Sequence, residues 1–217
     1  MQWLKELRKM IMSSRLKRQY VETRVAYHFG RDSKPFRRIM RAVDDARDMH
    51  RGKKRKNGEP VIVHERAMLI IALDYCDERD VDVLVAIMLH DLYEDYPSDW
   101  PLSRVEREYG RRVRELVDAV TKPPKGSWVT EADHDEATFE KIDRAGEQAW
   151  RIKFYDRLHN NLTAWGRREA RVKKLLQTIV YVLPRAAQYN FLLHELVTTT
   201  HLEMKRLKLD HRVMQEL

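Results

Sequence analysis

The sequence has little cysteine, glycine or proline. Its one cysteine, Cys76, cannot form an internal disulfide, which fits a reducing compartment such as the cytoplasm. Seven glycines and seven prolines in 217 residues leave few breaks, and helix-forming residues dominate. The composition therefore predicts an all-α protein, and the length favours one generous domain over two very small ones.

Long apolar runs are also missing. The two longest, Ala67–Leu73 and Val83–Leu89, have seven residues each. A membrane span needs roughly twenty, so we expect no segment that crosses a bilayer. The first residues, Met1–Glu6, lack the apolar core and the small-residue cleavage site of a signal peptide. We therefore predict a cytoplasmic location.

The charge balance is basic, with 42 lysines and arginines against 34 acidic residues and a net charge of +8. A well-solvated surface with many ion pairs is the ordinary interpretation. The more specific one is an anionic ligand, either a nucleotide or a nucleic acid. Nucleic acid is disfavoured, because no recognised binding motif accompanies the charge.

Helical spacing of apolar residues predicts helices along most of the chain. Residues 1–27 form a basic amphipathic pattern, which we assign to an N-terminal extension over residues 1–34, ahead of a compact helical domain over residues 35–217. Most such helices pack onto their own domain, and membrane or partner binding is the minority alternative. Further helices are predicted near Pro35–Met49, His64–Tyr75, a segment leading into His90 that Asp77 or Asp80 can cap, Val105–Val120 split at Gly110, Asp133–Arg144, Gly146–Asn161, Arg168–Val182 and Pro184–Leu209.

The most informative stretch is His90-Asp91-Leu92-Tyr93-Glu94-Asp95, which directly follows the apolar run Val83–Leu89. Seven consecutive apolar residues leave a helix no polar face, so the run predicts a buried helix that continues into a histidine and three carboxylates. Burying such groups is unfavourable unless a cation or hydrogen bonds compensate. We interpret the stretch as a metal site.

Neighbouring His90 and Asp91 lie about 100° apart around a helix, so both can reach one ion. Imidazole and carboxylate ligands suit Mn, Fe, Zn or Mg better than a metal that prefers thiolate. Two side chains do not fill a coordination sphere, and His64 and Asp156 are candidates for the others. Taken singly, each has an ordinary explanation: His64 as a helix-end histidine, and Asp156 as an ion-pair partner of Arg157 or of a nearby lysine. The hypothesis therefore depends on the combination.

The motifs occur in a recognisable order: Arg55-Lys56-Asn57-Gly58-Glu59-Pro60-Val61-Ile62-Val63-His64, then His90–Asp95, Tyr109-Gly110, Leu116–Lys122 and Asp156-Arg157-Leu158-His159-Asn160. As a set, they resemble the HD-type hydrolase domain of the RelA/SpoT alarmone enzymes over roughly residues 37–165. No synthetase or regulatory region follows in the sequence, so the chain looks like a stand-alone small alarmone hydrolase.

The resemblance implies a helical fold and Mn²⁺-dependent removal of pyrophosphate from the ribose 3′ position of the guanine nucleotides ppGpp and pppGpp, together (p)ppGpp. By position, it implies four metal ligands: His64, His90, Asp91 and Asp156. Glu94 and Asp95 match the acidic pair that positions or deprotonates the attacking water. For these two acids the ordinary alternative is a helix-end ion pair with a neighbouring arginine or lysine.

The resemblance also implies residues that bind the substrate. Arg55 and Lys56 match the loop that packs on the guanine base, and Asn160 and Thr163 match residues that line the nucleoside pocket. Ordinary alternatives exist here too, since the run Lys53–Lys56 could be a solvated charge cluster or a nucleic-acid patch. Asn160 could be a helix C-cap.

The sequence departs from the family pattern near the expected pocket. Val61 stands where the family usually has Tyr, Glu65 where Pro commonly follows the first ligand, Tyr155 where a small residue stands, and Asn161-Leu162 where Met-Arg is usual. A changed pocket could favour another phosphorylated nucleotide such as NADPH. An alternative from a different class is a protein that neutralises an alarmone-making toxin, either by binding this cognate toxin protein or by destroying its product.

Overall fold

The structure is a computed structural model that describes residues 2–11, 16–55, 58–123, 130–163 and 166–209. These residues form twelve α-helices and no β-strand, with one isolated bridge between Lys54 and Pro60. The all-α prediction is confirmed. Within the same residues, every helix is too short or too polar to traverse a lipid bilayer.

The described helices follow one another as α1 (Gln2–Ile11), α2 (Arg18–Phe29), α3 (Lys34–Met49), α4 (Ile62–Ile70), α5 (Val81–Asp95), α6 (Leu102–Tyr109), α7 (Arg111–Val120), α8 (Glu131–Ala145), α9 (Glu147–Leu162), α10 (Arg168–Gln177), α11 (Leu183–Tyr189) and α12 (Leu193–Arg206). Two π-helical turns, Ile71–Tyr75 and Thr178–Val182, follow α4 and α10. The chain divides into two compact units, residues 1–152 and 153–217.

The core of the first unit surrounds α5. Every residue from Val83 to Leu89 is 0% exposed, as the continuous apolar run predicts. Helices α3, α4 and α7 pack against α5. Asp80 caps its N-terminus by accepting hydrogen bonds from the backbone N–H groups of Asp82 and Val83. The predicted buried helix and its cap are confirmed.

The single helix predicted over residues 1–27 is wrong, because the described residues form two helices there. Leu16 and Lys17 are not helical, and Leu16 is 1% exposed. The carbonyl of Leu16 accepts a hydrogen bond from Arg66 at 3.2 Å, so a tertiary contact uses this group instead of a helical bond. The apolar side of α1 is buried and the helix packs against α4, which confirms the ordinary interpretation of its amphipathic pattern. The domain boundary at residue 34 stays a prediction.

The single helix predicted over Pro184–Leu209 is also wrong, since α11 ends at Tyr189 and α12 begins at Leu193. Asn190 and Leu192 adopt positive φ angles of 49° and 52°, which an α-helix cannot accommodate. In the second unit, a small apolar cluster unites Leu175, Met204 and Leu207. By contrast, the predicted split at Gly110 is confirmed, because its φ of 94° separates α6 from α7.

Candidate active site

The basic loop is the segment of residues 51–60 between α3 and α4, and backbone hydrogen bonds join the two sides of its described part. The N–H of Arg55 donates to the carbonyl of Glu59 at 2.7 Å, and the N–H of Val61 donates to the carbonyl of Lys53 at 3.2 Å. These bonds hold the loop next to the start of α4, where the first predicted ligand lies. Arg55 is partly buried. Lys56 lies outside the described residues.

Two histidines come together because α4 packs against α5. His64 lies in the first turn of α4, where its N–H donates to the carbonyl of Val61 at 2.9 Å. In α5, His90 Nδ1 lies 2.9 Å from the carbonyl oxygen of Ile87. Since a carbonyl accepts and cannot donate, Nδ1 carries the proton and Nε2 presents its lone pair. A backbone partner of this kind orients a metal-binding imidazole.

The ligand atoms of His64, His90 and Asp91 lie within 4.8 Å of one another. The ring centroids of the two histidines are 5.9 Å apart, and His90 Nε2 is 3.0 Å from Asp91 Oδ1. Two lone pairs at that distance repel unless a proton or a metal ion lies between them. His64 and His90 are buried, and Asp91 is half-buried. Two imidazoles and a carboxylate fit a divalent transition metal, so the structure brings three of the four predicted ligands together.

The fourth predicted ligand lies on the part of α9 that belongs to the second unit. Asp156 accepts hydrogen bonds from Asn160 Nδ2 at 2.5 Å and from Lys153 Nζ at 3.1 Å. Spacings of three and four residues place these side chains on one face of the helix. The Thr163 hydroxyl donates to the carbonyl of His159 at 2.8 Å, so it satisfies the end of α9. The substrate-binding roles of Asn160 and Thr163 stay predictions.

The two predicted catalytic acids occupy the last turn of α5. Glu94 is 38% exposed, and its Oε1 lies 3.6 Å from Lys122 Nζ. Partial burial, together with the negative charges of Asp91 and Glu94, raises the pKa of Asp95. Asp95 nevertheless keeps contact with solvent. A carboxyl with a raised pKa is a stronger base than an ordinary one, which suits proton transfer from water.

One buried pair beside these residues escaped the reasoning from sequence. His50 Nε2 and Glu65 Oε1 are 2.9 Å apart, and both side chains are 0% exposed. Burial favours the neutral imidazole, but Glu65, aided by the charges of Asp91 and Asp95, outweighs it and raises the pKa of His50. The Tyr96 hydroxyl lies 3.4 Å from His50 Nδ1. The available signal in the sequence was the charged Glu65, which stands shortly before the apolar run that begins at Ala67.

Comparison with known proteins gives a consistent family. The chain is similar to the guanosine-3′,5′-bis(diphosphate) 3′-pyrophosphohydrolase of Aquifex aeolicus, with 34% identity over 141 residues that cover 63% of this chain and 19% of that protein. It is similar to the bifunctional (p)ppGpp synthase/hydrolase SpoT of Escherichia coli, with 35% identity over 130 residues that cover 58% and 18%. The match to the GTP pyrophosphokinase of Streptomyces coelicolor has 34% identity over 157 residues and covers 71% and 18%. The chain thus spans less than a fifth of the length of these curated relatives.

A solved structure supports the fold. It is described as a metazoan ortholog of SpoT that hydrolyzes ppGpp, and it superposes with a TM-score of 0.57 at 22% sequence identity, covering 78% of this chain and 93% of that one. The sequence pattern of the HD domain family matches residues 42–182, which include all four predicted ligands. The chain therefore belongs to the HD domain family.

Proposed function

We propose that this protein hydrolyses the 3′-pyrophosphate of (p)ppGpp, which gives pyrophosphate and GDP or GTP. The observation that carries the proposal is the cluster of His64, His90 and Asp91 directly ahead of two acids on α5. The 3′-pyrophosphohydrolases among the relatives support this choice of substrate. The proposed partner is accordingly a guanine nucleotide.

Family membership and the donor set both support a divalent-metal site. We propose that His64, His90, Asp91 and Asp156 hold the ion and that the ion is Mn²⁺. Asp156 suits this role because Lys153 and Asn160 already orient its carboxylate. When bound, a divalent ion supplies Lewis acidity that draws charge from a phosphoryl oxygen and from water.

Glu94 and Asp95 orient the attacking water and accept its proton. The water oxygen forms a bond to the phosphorus attached to the ribose 3′ oxygen, the bond between that phosphorus and the ribose oxygen breaks, and the ribose oxygen takes up a proton. Negative charge grows on the phosphoryl oxygens, so nearby cations favour the reaction. Arg55 and Lys56 supply cations, and an arginine can also lie flat over the guanine base.

Product analysis tests the proposal. The purified protein, loaded with Mn²⁺, is incubated with ppGpp, pppGpp and NADPH, and phosphate and pyrophosphate are quantified separately after chromatography. We expect pyrophosphate with GDP or GTP from the two alarmones. If neither alarmone releases pyrophosphate, the proposed substrate is wrong, and phosphate released from NADPH would identify a different phosphohydrolase on the same site.

Toxin neutralisation by binding makes a different prediction. A variant that cannot hydrolyse nucleotide, Asp91→Ala, would still retain a cognate toxin protein in a pull-down if binding were the mechanism. Hydrolysis of the toxin's product would instead be lost with this variant. The proposed hydrolase predicts the second result.

A further inference from the structure

The buried pair of His50 and Glu65 has no part in the proposed chemistry, yet its position is unusual. Both side chains are inaccessible to solvent, and Glu65 directly follows the predicted ligand His64. Burying two charges is costly, and well-packed apolar residues often stabilise a fold as well or better. A contribution to stability alone therefore does not explain the pair.

The contact is an ion pair whose geometry falls short of a well-directed hydrogen bond. His50 Nε2 and Glu65 Oε1 lie 2.9 Å apart, but among the described residues neither oxygen of Glu65 has a well-aligned donor. The attraction is thus mainly electrostatic. The strength of this attraction depends on how closely α4 lies to His50, the residue that directly follows α3.

The pair connects three parts of the proposed site within the first unit. His50 begins the basic loop, since its carbonyl accepts a hydrogen bond from the N–H of Lys53 at 3.0 Å. Glu65 lies on α4, next to His64. Tyr96, which directly follows Asp95, places its hydroxyl 3.4 Å from His50 Nδ1, with the two ring centroids 5.5 Å apart.

We propose that His50 and Glu65 are positioning residues, which hold the basic loop and the acid-bearing end of α5 in a fixed relation to His64. The proposal rests on the proposed function, because the loop and the acids are the parts that the pair positions. In the alarmone-hydrolase family that this sequence resembles, Pro commonly stands at the position of Glu65, and proline has no carboxylate. The pair is therefore a property of the residues of this chain.

A second pair of the same chemistry provides a matched control. Asp74, in the π-helical turn after α4, lies 2.7 Å from His28 Nε2 and accepts two hydrogen bonds from Arg24 at 2.8 and 2.9 Å. Its side chain is 7% exposed. Both partners belong to α2, whose main contacts among the described residues are with α3, α4 and the π-helical turn. Asp74→Asn therefore removes a buried histidine–carboxylate pair without disturbing the proposed positioning.

The experiment compares Glu65→Gln and His50→Gln with Asp74→Asn by amide hydrogen exchange, before any substrate is added. The informative amides are those of Lys53, Val61 and Tyr96, which bond to His50, Lys53 and Leu92. In Glu65→Gln and His50→Gln we compare each amide's exchange rate with its rate in the wild type. The increase at these three amides should be about tenfold larger than the average increase over the protein. In Asp74→Asn the acceleration should fall in α2 instead. Equal acceleration everywhere, or none at the three amides, overturns the proposal.

Steady-state kinetics on ppGpp give the second measurement. Because small misplacements of reacting groups are costly, we expect Glu65→Gln to lower kcat about 10- to 100-fold while the Kd for Mn²⁺ changes less than about threefold. Asp74→Asn should keep kcat within about twofold of the wild type, because Asp74 pairs with Arg24 and His28, which have no part in the proposed site. An unchanged kcat in Glu65→Gln contradicts positioning.

Two further results keep the outcomes separate. If the wild-type protein hydrolyses neither alarmone, the proposed function fails, while the exchange data still decide whether the pair orders the loop and the end of α5. If Glu65→Gln does not fold, Tyr96→Phe removes the hydroxyl contact alone. Slower turnover with faster exchange at Tyr96 would then support the proposal, and no change in either would refute it.

Discussion

Both ends of α5 carry several acidic side chains, but the acids at the two ends have different surroundings. At the N-terminal end, Asp80 caps the helix, and Arg38 donates to Asp82 at 2.5 Å. Arg112 lies 3.5 Å from Asp80 and 3.7 Å from Asp82. Acids at this end also interact favourably with the helix dipole. Each charge here is compensated by an arginine, by the dipole or by both.

At the C-terminal end, the helix gathers His90, Asp91, Glu94 and Asp95 within six residues. The dipole disfavours acids at this end. The pKa of Asp95 is raised, whereas acids paired with arginine usually have lowered values. Lys122 lies 3.6 Å from Glu94, about as far as Arg112 lies from the acids of the other end, so the raised pKa of Asp95 is what marks the compensation at this end as incomplete.

The difference separates charge that supports the fold from charge that supports a function. The same helix keeps compensated acids at one end and crowds acids at the other, where they are unfavourable without a cation. A cluster of this kind persists when a metal ion or a reaction requires it. Substitutions at the two ends should therefore have unlike effects.

The largest effect is expected from Asp91→Ala. Removing a ligand of the proposed site should abolish stoichiometric Mn²⁺ binding and lower pyrophosphate release by at least about 10³-fold, since the ion contributes several kcal/mol to the transition state. Metal content by mass spectrometry and product release are the measurements. Retention of full metal content would exclude Asp91 as a ligand and remove the contrast between the two ends.

Asp156→Ala extends the comparison to the second unit. If Asp156 completes the proposed coordination, this variant should match Asp91→Ala in both metal loss and activity loss. Asn160→Ala is the comparison variant, because it removes one donor that orients the carboxylate but leaves the carboxylate in place, so metal binding should weaken without being abolished. Normal metal binding by Asp156→Ala would show that the fourth ligand is another residue.

Glu94→Ala should separate catalysis from metal binding at the same end of α5. Loss of a group that handles the proton of water typically lowers turnover about 10²- to 10⁴-fold. Because Glu94 is not a proposed ligand, most of the Mn²⁺ should remain bound. Metal loss equal to that of Asp91→Ala would contradict this division of roles.

Asp82→Asn probes the compensated end. The variant loses the ion pair with Arg38 and a favourable interaction with the dipole, which together stabilise the fold by about 1 kcal/mol. Thermal unfolding should show a Tm lower by about 2–4 °C in a chain of this size. Metal affinity and turnover should stay at wild-type values, and a loss of either would mean that the two ends are functionally coupled.

The smallest effect is expected from Asp95→Asn in the metal-free protein. Since the folded-state pKa of Asp95 is raised, its contribution to stability is greatest below the unfolded pKa and is lost as the pH rises through the folded value. The asparagine side chain carries no charge, so the variant should have a Tm about 1–2 °C above that of the wild type near pH 7. The expected shift is small because solvent screens the charge of an exposed carboxylate such as Asp95. Unfolding scans near pH 4 should show the difference shrink.

The apolar patterns predicted α5 and its cap because a continuous buried run and an acidic cap are local signals. The break at Leu16 could not be predicted in this way, since the carbonyl of Leu16 bonds to Arg66, 50 residues later. The break at Asn190 had a local signal, because asparagine readily adopts positive φ after a helix. The prediction of one continuous helix followed the helical spacing of the apolar residues and gave the asparagine too little weight.

The candidate site was predictable to the extent that its motifs are local. His90, Asp91, Glu94 and Asp95 lie in one turn and a half of helix, and the resemblance turned His64 from a candidate into an expected ligand. Their convergence depends on the packing of α4 against α5, which no short motif encodes. The pairing of His50 with Glu65 was missed for the same reason.

The π-helical turn after α4 has a consequence for tolerance to insertions and deletions. The Cys76 N–H bonds to the carbonyl of Ile71, five residues back, so this turn holds one residue more than an α-helical turn. Deleting Ala72 or Leu73 would convert it to a regular α-helical turn, and the residues after the turn would keep nearly their present direction, because the π-helical turn already absorbs the extra residue. The same deletion within α4 would instead rotate every later residue by about 100°, so the chain can lose a residue at this turn more easily than one turn earlier.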